Sequence, residues 1–348
     1  EASDDYGIRD LKFNYQVKTA NGKQEAVQSE KVSIQTGKST TFRYILDIQT
    51  LGLKPGDHLS YYFEVWDNDG IHGSKATRST IYEHHVATND ELAKIEETNN
   101  DDIKKDLEAS IEDAKKLQDK LNEFKDKLRS KKDLEWQNKK DLDKMLKQQE
   151  DLQKKFDEAK KKFDENLKKQ EQHSNPDESL IDKQKQLQKL FNETMSEEMK
   201  KLMQDIQNLM QELNKEQALQ MTEQFQNKNE DMKKDMDRLL ELFKQLEVEK
   251  NVKDQIDKLR ELSKEQEALK EKTEKKSESQ DKLKKEQEDI NKKFDELKKK
   301  QDDIQKKNES LDKPKKLSDQ KKNAEDVKKS LEKSKENLDK KENDAAAK

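Results

Sequence analysis

Glycine disappears from this chain after Gly73, and no proline occurs between Pro176 and Pro314. A backbone without these residues has few points at which a helix is forced to stop. Helices of roughly 35 to 80 residues are therefore expected, about 50 to 120 Å long at ~1.5 Å per residue. Composition sharpens the constraint. Only 28% of residues are hydrophobic and 44% are charged, too little apolar surface for one large globular core to offset its conformational entropy. What remains is disorder, or helices that bury a narrow stripe against one another, and the periodicity favours the helices.

The composition breaks near residue 88. All seven glycines lie at or before Gly73 and all six tyrosines at or before Tyr82. Within 1–88, Leu11, Phe13, Tyr15 and Val17 alternate with polar residues, as do Phe42, Tyr44, Leu46 and Ile48, and then Leu59, Tyr61, Phe63 and Val65. Period-two alternation puts each set on one face of a strand. Val32 with Ile34, and Thr77 to Tyr82, read as weaker strands. Turn residues separate them at Asn21-Gly22, Thr36-Gly37, Pro55-Gly56-Asp57 and Asn68-Asp69-Gly70. About five strands predict an antiparallel β-sandwich, immunoglobulin-like but short of the usual seven or so strands. The expectation is that the missing strands precede Glu1.

From about Asn89 the period becomes helical. Ile103, Leu107, Ile111, Ala114, Leu117, Leu121, Phe124 and Leu128 step by threes and fours, an a/d seam. The phase falters after Ser130, and a second seam runs from Leu142 through Met145, Leu152, Phe156, Ala159 and Phe163 to Leu167, which predicts a helical hairpin over 89–172. His173 to Pro176 breaks it. Amphipathic helices with a broad apolar face follow over 177–250. Met199, Leu202, Met203, Ile206, Leu209, Met210 and Leu213 lie in the first part, and Met236, Leu239, Phe243 and Leu246 in the second. These positions are the candidate interaction seam, serving pairing within the chain or with another chain. Over 251–348 the apolar positions thin to Leu283, Ile290, Leu297, Ile304 and Leu311, which predicts a sparse coiled coil and a charged tail. The fold class is thus α+β multidomain: a β-sandwich module followed by long helical hairpins or coiled coil.

Charge and motif content exclude several functions. The 74 basic and 79 acidic residues are interleaved, so no basic face for nucleic acid stands out. Arginines number only six: Arg9, Arg43, Arg78, Arg129, Arg238 and Arg260. Cysteine is absent, which excludes disulfides and thiolate chemistry. No apolar run approaches the roughly 20 residues of a membrane-spanning helix. Asp67 and Asp69 beside Gly70 are weak metal candidates, but the EF-hand acids are missing where Val65 and Ala76 stand. His84 and His85 are adjacent and would face opposite ways on a strand. No phosphate loop, nucleophile elbow or His-Glu-x-x-His is present. No catalytic residue and no cofactor is expected. Seven of the eight methionines fall between Met195 and Met236; their helical spacing favours core filling over an adaptable partner groove. Trp136 is expected to plug the end of the hairpin, with a partner contact as the alternative.

The run Met232 to Lys250 resembles a signature of a bacterial envelope family of the Bacteroidetes, domain of unknown function 4175. Leu134 to Leu146 and Asp4-Asp5-Tyr6-Gly7-Ile8 resemble it too, as does the spacing of Pro55-Gly56-Asp57 before Tyr61-Tyr62 and Asp67-Asn68-Asp69-Gly70. The resemblance covers about 250 residues. It implies an extracytoplasmic β-plus-helical body on a membrane protein whose transmembrane helices lie upstream, outside this sequence, and it carries over no catalytic residue. The expected function is a non-catalytic periplasmic strut or scaffold. In it the β module is an adaptor near the membrane, and the helices pair with one another or with a protein partner. The rival expectation is a coiled-coil accessory arm of an ATP-driven machine with its motor elsewhere. An enzyme on the β module is a third, lacking a convergent acid, base or nucleophile.

Overall fold

The computed structural model describes residues 1–348 except 36, 70–72, 131–135, 174–177, 196, 210–214, 318–319 and 348. The chain separates into two compact units, Glu1–Thr98 and Asn99–Lys348.

The first unit is built on one antiparallel sheet. Its strands are β1 (Ala2–Lys18), β2 (Gln28–Val32), β3 (Gly37–Thr40), β4 (His58–Asp67), β5 (Ala76–Arg78) and β6 (Tyr82–His85). Two long strands, β1 and β4, form the centre. β2 and β3 flank β1, and β5 and β6 flank β4. Register sets Leu11 against Val65, Phe13 against Phe63, Tyr15 against Tyr61 and Val17 against Leu59, so the alternating residues share one face. Past Ile8 the pairing slips by one residue, a bulge at Arg9.

The alternating segment 42–48 makes no ladder. Residues 41–47 run without strand pairing and lead into a short 3₁₀ turn, Ile48–Leu51. Tyr44 stacks on Phe13 with ring centroids 4.4 Å apart, Phe42 meets Phe63 edge-on at 5.0 Å, and Ile45 points outward. Over its central stretch β1 is bonded on both sides, by β2 and β4, so no edge remains there for this segment. It lies across the apolar face as a cover, and alternation reports that face rather than a hydrogen-bonded ladder.

The turn before β4 is locked by a buried carboxylate. Asp57 accepts from the amides of Ala20 at 2.9 Å and Lys54 at 2.8 Å. Gly56 sits at φ +88°, and a β-carbon there would lie 2.9 Å from the Ala20 methyl, so only glycine fits. The amide of Gly56 donates to the Val86 carbonyl at 2.7 Å, which ties this turn to the start of helix α1 (Asn89–Ser130). That start is a capping box. Thr88 N–H donates to Glu91 at 2.8 Å, and Glu91 N–H returns a bond to Thr88 Oγ1 at 3.2 Å. The Thr88 amide, with His85 and the Thr88 hydroxyl, holds the Glu91 carboxyl down to about 2.

The second unit holds the rest of α1, with α2 (Trp136–His173), α3 (Glu178–Thr194), α4 (Glu197–Leu209), α5 (Lys215–Glu274), α6 (Gln280–Glu309), α7 (Lys321–Asp339) and α8 (Asn343–Ala346). Cross-helix bonds fix the directions. Asp113 pairs with Lys155 and Asp106 with Lys162, so α1 and α2 are antiparallel. Lys160 donates to Asn192 and Gln207 to Glu150, which sets α3 and α4 antiparallel to α2. Lys125 donates to Gln226 and Lys244 pairs with Glu108, so α5 returns alongside α1. The result is an up-down-up-down four-helix bundle in which α3 and α4 share the third position. Past this bundle α5 continues without a break through residue 250, the expected segment boundary. It then pairs antiparallel with α6, and α6 with α7. The smaller core formed there holds Leu262, Leu269, Leu283, Ile290, Phe294, Leu297, Leu338 and Ala346.

Without glycine, two helices end on lysine. Lys276 and Lys341 take positive φ, 50° and 63°. After α5, Ser277 N–H reaches the Lys272 carbonyl at 3.1 Å and Lys276 N–H the Thr273 carbonyl at 3.3 Å, the two bonds of a Schellman cap. A side chain in this region is strained. We expect Lys276→Gly to stabilise the chain by about 0.5–1 kcal/mol, read as a rise in melting temperature; a fall would show that the Lys276 side chain contributes more than its backbone costs.

Candidate functional site

The seam positions define the interior of the four-helix bundle. Met236 and Leu239 are fully buried, and Phe243 and Leu246 nearly so, in a core shared with Leu107, Phe156, Phe163 and Phe191. Phe191 stacks on Phe163 at 5.2 Å and meets Phe156 at 5.4 Å. Met199, Met203 and Ile206 are buried in the adjoining core with Leu121, Phe124 and Phe225, and Leu202 packs against it partly exposed. Leu209 is the last residue of α4, while Met210 and Leu213 lie outside the described residues. The described positions of the stripe from Met199 to Ile206 and from Met236 to Leu246 thus pack on the chain's own helices. Each fully buried Leu or Phe contributes about 1.5–3 kcal/mol, which binds the four helices together.

Trp136 does not plug the hairpin. It is 73% exposed at the first residue of α2, with the Lys140 ammonium 5.1 Å from its ring centroid. Asp67 ends β4, and its carboxylate accepts the Lys75 amide at 2.8 Å and the Asp69 amide at 3.4 Å. That carboxylate closes its own loop. Among the described residues no three His, Asp or Glu side chains converge as a metal site. His85 bonds Glu91 at 2.8 Å and lies against His58 with centroids 4.4 Å apart.

Two polar features inside the helical unit carry the specificity of the packing. The first is a layer between the two apolar cores. Asn229 is fully buried, and its Nδ2 donates to the Ala114 carbonyl at 2.9 Å and to Gln118 at 2.8 Å. Gln149, also fully buried, reaches Met232 Sδ at 3.3 Å. Asn229 Oδ1 and Gln149 Oε1 have no hydrogen-bond partner among the described residues. Both residues occupy seam positions, Asn229 between Phe225 and Met232 and Gln149 between Met145 and Leu152. A buried amide in such a seam fixes register at a cost in stability.

The second is an ionic node where the two bundles meet. The Glu247 side chain is 4% exposed and accepts from Lys104 at 3.0 Å and Lys307 at 2.7 Å. Lys104 also reaches Asp101 at 2.9 Å. Burial alone pulls the Lys104 amine down; its bond to Asp101 and the Glu247 charge outweigh that and hold it above the usual lysine value. Two residues on, Glu249 contacts Lys183 and Lys315. Lys315 is itself held by Asn308, with both backbone-to-side-chain bonds at 2.9 Å. Helices α1, α3 and α6, and the segment after α6, are therefore tied to one short stretch of α5. Glu247 stands four residues after Phe243, so its position at the seam was visible in the sequence; its two partners, 143 and 60 residues away, were not.

Compared with known proteins, the chain matches no family model, no curated protein and no solved structure.

These features act in opposite directions on stability. We expect Asn229→Leu to raise the melting temperature, because an apolar side chain of similar volume removes the unpaired carbonyl, with a gain of roughly 1 kcal/mol; destabilisation would show the amide bonds to be net favourable. Glu247→Gln should cost about 2 kcal/mol, measured by urea unfolding, because it leaves Lys307 without the carboxylate it pairs with and Lys104 with Asp101 alone; an unchanged midpoint would show that the node does not contribute to the packing.

Proposed function

We propose that this chain is a non-catalytic scaffold segment of a bacterial envelope protein, acting through helix packing. The observation that carries the reading is α5. This single helix of 60 residues forms one side of the four-helix bundle and then the first helix of the smaller bundle, with Glu247 and Glu249 clamped where it passes between them. A helix shared in this way transmits position from one packed body to the next, as a scaffold requires. The N-terminal sheet, with residues 41–47 laid over its apolar face, fits an immunoglobulin-like adaptor in which that segment is the beginning of a second layer. The extracytoplasmic setting is supported by the sequence resemblance quoted above. No helix among the described residues is long and apolar enough to cross a membrane, and in this reading anchoring falls to segments outside the sequence.

The mechanical part is tested by spin labels at Lys234→Cys and Glu267→Cys, two exposed positions on α5 in a chain that has no cysteine. One narrow distance distribution near 50 Å is expected, from about 1.5 Å per residue along an unbroken helix. A broad or much shorter distribution would end the scaffold reading. The setting is tested separately by fractionating cells that express the natural gene product: retention with membranes and proteolysis from the periplasmic side support it, and recovery in the cytosol overturns it.

A further inference from the structure

The four-helix bundle has all four positions filled, but the smaller bundle does not. There α5 and α7 both pack on α6 and leave a gap between themselves. At one end the gap is closed by α8, whose Ala346 is buried with Leu262, Leu269 and Leu338, and Ser334 Oγ donates to the Ala346 carbonyl at 2.9 Å. At the other end no helix among the described residues closes it, and Leu317 and Gln320, from the segment between α6 and α7, line it there. Ile256 and Leu259 on α5 are 43% and 37% exposed, and Val327 on α7 is 44% exposed. The floor is α6, through Phe294, Leu297 and Ile304, and the open volume is about 400 Å³.

The walls repeat at helical spacing. Val252, Ile256 and Leu259 step by four and three, as do Gln320, Ala324 and Val327. That pattern takes a helix whose anchors repeat every three or four residues. Along α5 and α6 the groove runs roughly 10 to 15 Å, or two to three helical turns. Its polar lining is amide, at Gln255, Gln301, Gln305, Gln320 and Asn323, with one charged group, Lys298. Lys298 is half-buried and has no ion pair or hydrogen bond among the described residues. An apolar cover would strand that ammonium away from water without a partner, which is unfavourable. A cover carrying a carboxylate would complete it.

We propose that this open half of the α5–α7 gap docks a short amphipathic helix of another protein chain, bearing a carboxylate that pairs with Lys298. It takes the position that α8 takes at the other end. The inference deepens the scaffold reading by naming where a partner binds and rests on it, but the two can fail separately, since the spin-label distance along α5 does not depend on an occupied groove.

The test uses the full chain and a fluorescent stapled helical peptide of about twelve residues, leucine at i, i+3, i+4 and i+7 and glutamate on the flanks. A second peptide has lysine in place of glutamate. Saturable anisotropy change is expected with the acidic peptide, about ten-fold weaker or more with the basic one, and a reversed preference in Lys298→Glu. Val327→Asp and Leu259→Gln, both at exposed positions, should abolish binding of the acidic peptide with the helical circular dichroism unchanged. Absence of saturable binding, or binding indifferent to Lys298→Glu, overturns the proposal. So does a wild-type dimer that Val327→Asp dissociates, which would put a second copy in the groove, or displacement of the peptide by dodecanoate as tightly as by unlabelled peptide, which would make it an acyl-chain site.

Discussion

The structure depends on the width of its apolar stripes. Where a buried seam such as Met236, Leu239 and Phe243 is flanked by the partly buried Leu240 and Leu242, a single neighbour cannot cover all its apolar edges. Four such helices around a common axis can do so. This accounts for why α1, α2, α3 with α4, and α5 close on one another, with one apolar core on either side of the Asn229 and Gln149 layer. The lysines and glutamates outside the stripe contribute little individually. Pairs such as Lys147–Asp143 and Lys234–Glu230 are exposed on both sides, and water screens them so that each adds little to stability. They keep the helices helical and in water while the stripes decide who packs on whom.

Much of this was legible in the sequence. The seam from Ile103 to Leu128 is the buried face of α1 except that Ser110 is buried where Ile111 is only partly so, because helical periodicity is local and needs no knowledge of the partner. α1 ends at Ser130 and α2 at His173, beside the expected breaks, which themselves fall on 131–135 and 174–177, outside the described residues. The amides at Gln149 and Asn229 fell in the seams and could have been read as register-setting positions. Closure of the helices into a four-membered bundle was not legible, because stripe width indicates how many neighbours a helix wants and not which ones. Apolar positions thin out after 250, yet α5 runs on to Glu274, since its partner changes from α1 to α6 while its backbone does not.

In the N-terminal unit the alternation of Phe42, Tyr44 and Leu46 predicted a strand where the chain lays a loose cover. Period-two burial needs only an extended backbone over an apolar face. A ladder also needs a free edge, and along its centre β1 has none. The buried Asp57 and the capping box at Thr88 were equally missed, although Thr-x-x-Glu before a helical seam is a sequence signal in its own right. Among candidate sites, the acids at Asp67 and Asp69 and the paired histidines resolve into loop and strand-end contacts. The groove between α5 and α7 was invisible beforehand because its lining comes from α5, α6, α7 and the segment before α7.

Sharing α5 between two bundles has a consequence for how such a chain can vary. Between Val248, buried within the node, and Leu262, buried in the second core, substitutions on the outward face are nearly free. Length is not. A single inserted residue there would rotate everything downstream by about 100° and advance it by about 1.5 Å, turning Leu262 and Leu269 away from α6 and parting Lys307 from Glu247. That stretch behaves as a ruler whose markings can be rewritten but whose count of residues is fixed.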